Sequence, residues 1–99
     1  MPRSKTFRFR KKADEDLANI YIYSYRTWGA DRAEEYIRDL NSAFQALADN
    51  SRMGRDYGYV RPAIRAYAVE SHIIFYQPTG YGISVVRVLH NVMDHKRHL

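Results

Sequence analysis

The 99-residue chain contains no cysteine, which excludes disulfides, thiol catalysis, iron–sulfur ligation and thiolate zinc sites together. No stretch approaches the ~18 consecutive apolar residues of a membrane span. The N-terminal MPRSKTFRFRKK is basic, but the apolar run that a secretory signal requires does not follow it. These absences point to a cytoplasmic protein. Glycine-rich phosphate loops, a GxSxG elbow and an HExxH helix are also missing. At this length one domain spanning 1–99 is expected, able to bury about two thirds of its unfolded surface.

The charge that is present is unevenly placed. Sixteen basic and eleven acidic residues leave a formal net charge of +5. Residues 1–12 carry six basic side chains and no acid, whereas residues 13–50 carry eight of the acids against three basic residues. From residue 51 onward the balance is basic again. Basic ends around an acidic middle suit nucleic acid or an acidic protein partner, and they also suit simple solubility.

Periodicity gives the elements. From Lys5 to Arg10, Phe7 and Phe9 alternate with Arg8 and Arg10, as in a half-buried edge strand. Ala13, Leu17, Ile20, Tyr21, Ser24 and Trp28 then recur at helical spacing, with Asp14, Glu15 and Asp16 in the first turn, so a helix over 13–28 is expected. Gly29 reads as its stop. Asp31 reads as the next N-cap, with Glu34 completing a capping box, and Ala33, Tyr36, Ile37, Leu40, Phe44 and Leu47 carry a second helix to about Ala48. The two-residue connection makes these an antiparallel hairpin.

Asp49 to Pro62 is turn-rich, and its Tyr57 and Tyr59 suggest an exposed aromatic patch. Three strands follow, Ile64–Glu70, His72–Gln77 and Ile83–His90, joined by short turns into an antiparallel meander whose middle strand is central. The tail 91–99 reads as a short helix or a loose strap, with Met93 as its anchor. The expected fold is α+β: a small antiparallel sheet, made of the first strand and the meander, packed on an N-terminal helical hairpin.

Chemistry is sparse. His72, His90, His95 and His98 lack a metal-ligand spacing with Glu70 and Asp94, so no metal and no cofactor is expected. RNA cleavage needs a proton acceptor, a cation at the phosphoryl oxygens and a proton donor, and Arg65, Arg87 and His90 are of the right types. Arg87 falls between Val85 and Leu89 on an apolar face, which is costly for an unpaired charge; a bridge to Glu70 or Asp94 would relieve it. The tyrosines at 57, 59, 67, 76 and 81 are types that stack on bases, and packing is the plainer use of each.

Several stretches together resemble one family. HIIFY (72–76), VVRVLH (85–90) and Met93-Asp94 look like the signature end of ParE-type toxins, in the RelE/ParE superfamily of bacterial toxin–antitoxin modules. The phenylalanine-bearing first strand, ADEDLANIYIYSYRTWG, ADRAEEYIRDLNSAFQALADN, Met53-Gly54-Arg55 and the approach from Arg61 to Ile64-Arg65 match as well, so the likeness covers about residues 5–98.

The resemblance implies a RelE/ParE-like fold and a toxin that inhibits DNA gyrase. It implies neutralisation by a ParD-like antitoxin in a hetero-oligomeric complex, in which DNA is met only through the antitoxin and no membrane is involved. On that reading the gyrase-contacting residues are Arg52, Arg55 and Arg61 of the loop and His95, Lys96, Arg97 and His98 of the tail. The antitoxin would dock on the hairpin at Leu17, Tyr21, Trp28, Tyr36, Leu40 and Phe44. The alternative is a RelE-like ribosome-dependent endoribonuclease using Arg65, Arg87 and His90. The absence of lysine between Lys12 and Lys96 removes most of that branch's lysine-rich patch.

Overall fold

Phe7 and Phe9 alternate with arginine, and the segment they mark is the first strand of a five-stranded sheet in the computed structural model, which describes residues 5–99. Arg3 of the basic N-terminal stretch lies outside the described residues. The elements run β1 (Thr6–Phe9), α1 (Lys11–Trp28), α2 (Ala30–Asp49), a two-residue β2 (Arg55–Asp56), β3 (Arg65–Val69), β4 (His72–Thr79), β5 (Gly82–His90) and a short α3 (His95–His98). The sheet order is β1-β5-β4-β3-β2, so β1 lies at an edge and β4 in the centre.

The α+β architecture and the helical hairpin match expectation, with local corrections. Helix α1 begins at Lys11 rather than 13, because the chain leaves the ladder at Arg10 and two good helix formers follow. Asp31 is not an N-cap. Gly29, at φ +93°, ends α1 and starts α2 without a side-chain cap, so Asp31 falls inside the first turn and complements the dipole there. The sheet is mixed rather than wholly antiparallel, since β1 joins β5 in parallel, Thr6 opposite Gly82 through Phe9 opposite Val85. Gly82 makes this possible: at φ +140°, a Cβ there would stand 1.9 Å from the Thr6 carbonyl oxygen.

Two apolar clusters lie on the two faces of the sheet. Tyr36, Leu40, Phe44 and Leu47 of α2 pack with Ile20 of α1 onto Ile74, Tyr76, Ile83, Val85 and Val88. Phe7 and Phe9 close this layer, their rings 5.5 and 5.1 Å from Phe44. On the other face, Tyr57 and Ile64 from the long loop pack with Ala66, Ile73, Phe75, Val86 and Leu89. Tyr57 is therefore buried while Tyr59 stays exposed, so the expected exposed aromatic patch in this loop reduces to one ring. The tail is a helical turn. Its contacts are His95, 5.1 Å from the Phe75 ring, and a half-buried Leu99; Met93 is exposed and does not anchor it.

Simple alternation along β5 does not hold. Val85 pairs with Tyr76 but Arg87 pairs with Phe75, which makes Val86 the extra residue of a bulge. Ile83, Val85 and Val88 consequently belong to the helix-side cluster, and Val86 and Leu89 to the other. Arg87 bonds neither Glu70 nor Asp94. Its Nε and Nη2 each donate to the carboxylate of Asp16 on α1 at 2.8 Å, and Val88 N–H donates to the same carboxylate at 3.0 Å. The last ladder bond between β1 and β5 is Arg10 N–H to Val85 O, so beyond it Asp16 takes the place of a strand neighbour.

Both side chains of this pair are mostly buried, at 14% and 13% exposure. The hydrogen bond to Asp16 raises the Arg87 pKa against the opposing effect of burial. Removing one partner would leave a poorly solvated charge, which typically costs 3–5 kcal/mol. Asp16→Asn is expected to destabilise the protein by about 3 kcal/mol in urea unfolding. Asp31→Asn, which removes no cap, is expected to stay within about 0.5 kcal/mol.

Candidate functional site

The second half of α1 is unusually exposed for its composition. After Ile20, only Ser24 is buried, whereas Tyr21, Ile22, Tyr23, Tyr25 and Trp28 all present large apolar area to solvent. The rings associate in pairs, Tyr21 with Tyr25 at 6.3 Å and Tyr23 edge-on to Trp28 at 5.9 Å. Contiguous exposed patches of this kind mark interaction surfaces more often than isolated apolar residues do.

This face borders a cleft of about 450 Å³ between the end of α1, the start of α2 and the β3–β4 turn. Tyr23, Ser24 and Trp28 form one wall, and Tyr36, His72 and His90 another. At the mouth, Arg32 donates to Glu70 at 2.9 Å and to Glu35 at 3.0 Å. Glu70 sits in the tight turn at φ +51°, a conformation uncommon for a side-chain-bearing residue. These ion pairs are about 40% or more exposed on at least one side, so they orient the rim more than they stabilise it.

His72 is the most strongly perturbed group in the cleft. Burial, and next the nearby His90, lower its pKa to about 4. The ring is therefore neutral at pH 7, and its Nδ1 is hydrogen-bonded to the Tyr36 hydroxyl at 2.6 Å, while that hydroxyl also lies 3.3 Å from the Val69 carbonyl. The His72 and His90 rings meet edge-to-face at 5.3 Å. No cluster of three metal-ligating side chains occurs among the described residues.

Of the residues assigned to antitoxin docking, Trp28 and Tyr21 are exposed on this face and Leu17 is half-buried. Leu40 and Phe44 are fully buried and Tyr36 is 5% exposed. Leu40 and Phe44 of α2 are directed at the sheet and form the core, whereas Tyr36 both joins that core and lines the cleft. Sequence reasoning missed Ile22, Tyr23 and Tyr25, whose signal was their position off the 3.6-residue stripe: apolar residues that a two-helix hairpin on one sheet does not cover.

Arg65, Arg87 and His90 are not brought together as free catalytic groups. Arg65 donates to the Gly54 carbonyl at 2.9 Å and to Arg52 O at 3.1 Å, which pins the loop under Tyr76. Arg87 is committed to Asp16 and to His98 O. His90 lines the aromatic cleft, Arg87 lines a second cleft, and Arg65 lines neither. Of the loop and tail groups, Arg61 meets the tail, donating to Leu99 O at 3.2 Å, and Tyr57 of the loop and His95 of the tail both pack on Phe75.

The sequence matches the family described as ParE toxin of type II toxin-antitoxin system, parDE, over residues 7–95. The chain belongs to the ParE toxin family. It is 44% identical to Toxin ParE1 of Mycobacterium tuberculosis (strain H37Rv) over 88 residues, covering 88% of this chain and 90% of that one. Toxin ParE1 of Caulobacter vibrioides is 34% identical over 95 residues, covering 96% of this chain and 98% of that protein. In fold, the chain resembles a structure titled "Chromosomal ParDE TA system from P. aeruginosa", with a TM-score of 0.74, 19% identity, and coverage of 88% and 96%. The ParE fold thus carries an exposed aromatic cleft here and no assembled arginine–histidine nuclease site among the described residues. No helix among them is long and apolar enough to cross a membrane.

A lowered folded-state pKa at His72 means that the unfolded chain binds more protons between about pH 4 and 6.5. Its contribution to stability is complete above pH 6.5 and is lost as the pH falls toward 4. The imidazole of His72 is expected to titrate near pH 4 by NMR. The fall in urea stability across that window should be shallower in His72→Gln.

Proposed function

We propose that this ParE toxin inhibits DNA gyrase in the cytoplasm and is neutralised by a ParD-like antitoxin in a hetero-oligomeric complex. The observation that carries the antitoxin half is the row of exposed large side chains on α1 beside the 450 Å³ cleft. An amphipathic segment laid along α1 would cover Tyr21, Tyr25 and Trp28, with one apolar anchor entering between Trp28 and Tyr36. The acidic middle of the chain lies on the hairpin itself, so apolar burial rather than charge would supply most of the affinity there.

The gyrase half is supported by family membership and by the gathering of the loop and tail. Arg52, Arg55, Lys96, Arg97 and His98 are exposed, while Arg61 and His95 are partly covered where loop and tail meet. This surface is separate from the α1 face, so inhibition and neutralisation would use different side chains. The nuclease alternative draws no support from the geometry, because two of its three residues already have full-time partners.

Supercoiling of relaxed plasmid by purified gyrase tests both halves. Wild-type toxin is expected to abolish supercoiled product, and preincubation with antitoxin to restore it. Trp28→Ala should still inhibit but should lose antitoxin affinity by at least about 2 kcal/mol, the scale of an aromatic hot spot. Lys96→Glu/Arg97→Glu should weaken inhibition while keeping antitoxin binding. Unchanged supercoiling by folded wild-type toxin would reject the gyrase target.

A further inference from the structure

The two basic ends of the chain, 86 residues apart between Lys12 and His98, are brought to one place by the fold. A second cleft, about 330 Å³ in volume, is lined by Arg10, Lys11 and Lys12 at the start of α1, by Arg61 of the loop, and by Arg87 and His98. Apart from these it presents only Val86 and Leu99, and no Asp or Glu side chain lines it. Arg87 is neutralised by Asp16, but Arg10 bonds the uncharged Gln77 and Arg61 a main-chain oxygen. Lys11 and Lys12 are exposed and make no ion pair among the described residues.

We propose that this cleft binds the phosphodiester backbone of duplex DNA, so that the toxin contacts DNA directly and not only through its antitoxin. Converging cations, of which Lys11 and Lys12 make no ion pair among the described residues, beside only two apolar side chains favour a phosphate-rich ligand over a docked protein segment, which needs apolar burial to hold it. No Phe, Tyr or Trp lines the cleft to stack on unpaired bases, which favours a duplex, whose bases are already paired, over a single strand. The α1 aromatic face is lined by a different set of residues, so the contact does not depend on how the antitoxin docks. Glu15 is close enough to raise the Arg87 pKa and is therefore placed to repel phosphate.

The full-length toxin without antitoxin, titrated against a fluorescein-labelled mixed-sequence duplex of about 20 base pairs, gives the test by anisotropy. About four participating cations predict a slope of log K against log salt between about −3 and −4. Lys11→Gln/Lys12→Gln should weaken binding about tenfold or more at low salt and make the slope shallower by about 2, with an unchanged melting temperature. Glu15→Gln should tighten binding, and Arg38→Gln on the exposed face of α2 should leave it unaltered. Absence of salt-dependent duplex binding, equal binding by the folded double variant, or tighter binding of single-stranded RNA or of an acidic peptide than of the duplex would each overturn the proposal.

Discussion

One carboxylate holds the layers of this molecule in register. Asp16 accepts two N–H groups from Arg87 and one from the Val88 main chain, just where β1 has ended and β5 would otherwise have an unpaired edge. The third direction of the same guanidinium is used on the His98 carbonyl at 3.1 Å. Helix, strand and tail are thus joined through one ion pair in which each group is mostly buried and each polar atom has a partner. Buried pairs of this kind fix an arrangement more reliably than they add stability, because both charges have given up water to form it. The orientation of α1, and with it the aromatic face, depends on that arrangement. So does the position of the tail beside Arg61 and Lys12.

That constraint also separates two kinds of surface. One end of the hairpin is rich in rings, with a neutral histidine at the base of its cleft and an arginine–glutamate pair at the rim. The place where β1 passes into α1 is rich in cations and has only Val86 and Leu99 as apolar lining. An apolar ligand gains little at the second and a phosphate gains little at the first. A small toxin that must meet both an inhibitor and a target benefits from such a division, since occupancy of one surface leaves the chemistry of the other unchanged unless the partner is large enough to reach across.

The hairpin was legible because Ala33, Tyr36, Leu40, Phe44 and Leu47 keep one phase over four turns and Gly29 interrupts it. The meander was legible from its two short turns. The parallel pairing of β1 was not, because an alternating four-residue strand reads the same in either direction and only the Gly82–Thr6 contact decides it. The bulge at Val86 was hidden for a related reason: alternation counts residues, and an inserted residue reverses every face after it. Asp16 read as one of three acids at a helix start, where the dipole alone accounts for them. Its pairing with Arg87 spans 71 residues, and no local pattern carries it.

The site was legible in part, for a physical reason visible in α1 itself. Trp28 and Tyr21 fall on the stripe that periodicity assigns to an interior, yet beyond Ile20 the hairpin has only Ser24 against its neighbours, so the stripe continues past the end of its own core. Among the described residues no further element lies over those rings. Periodicity identifies which side chains seek burial; it does not say whether the same chain supplies the cover. Leu40 and Phe44 found theirs in the sheet, and Tyr21 and Trp28 did not. The exposed remainder of an otherwise complete amphipathic pattern is therefore the part of this sequence that calls for a second molecule.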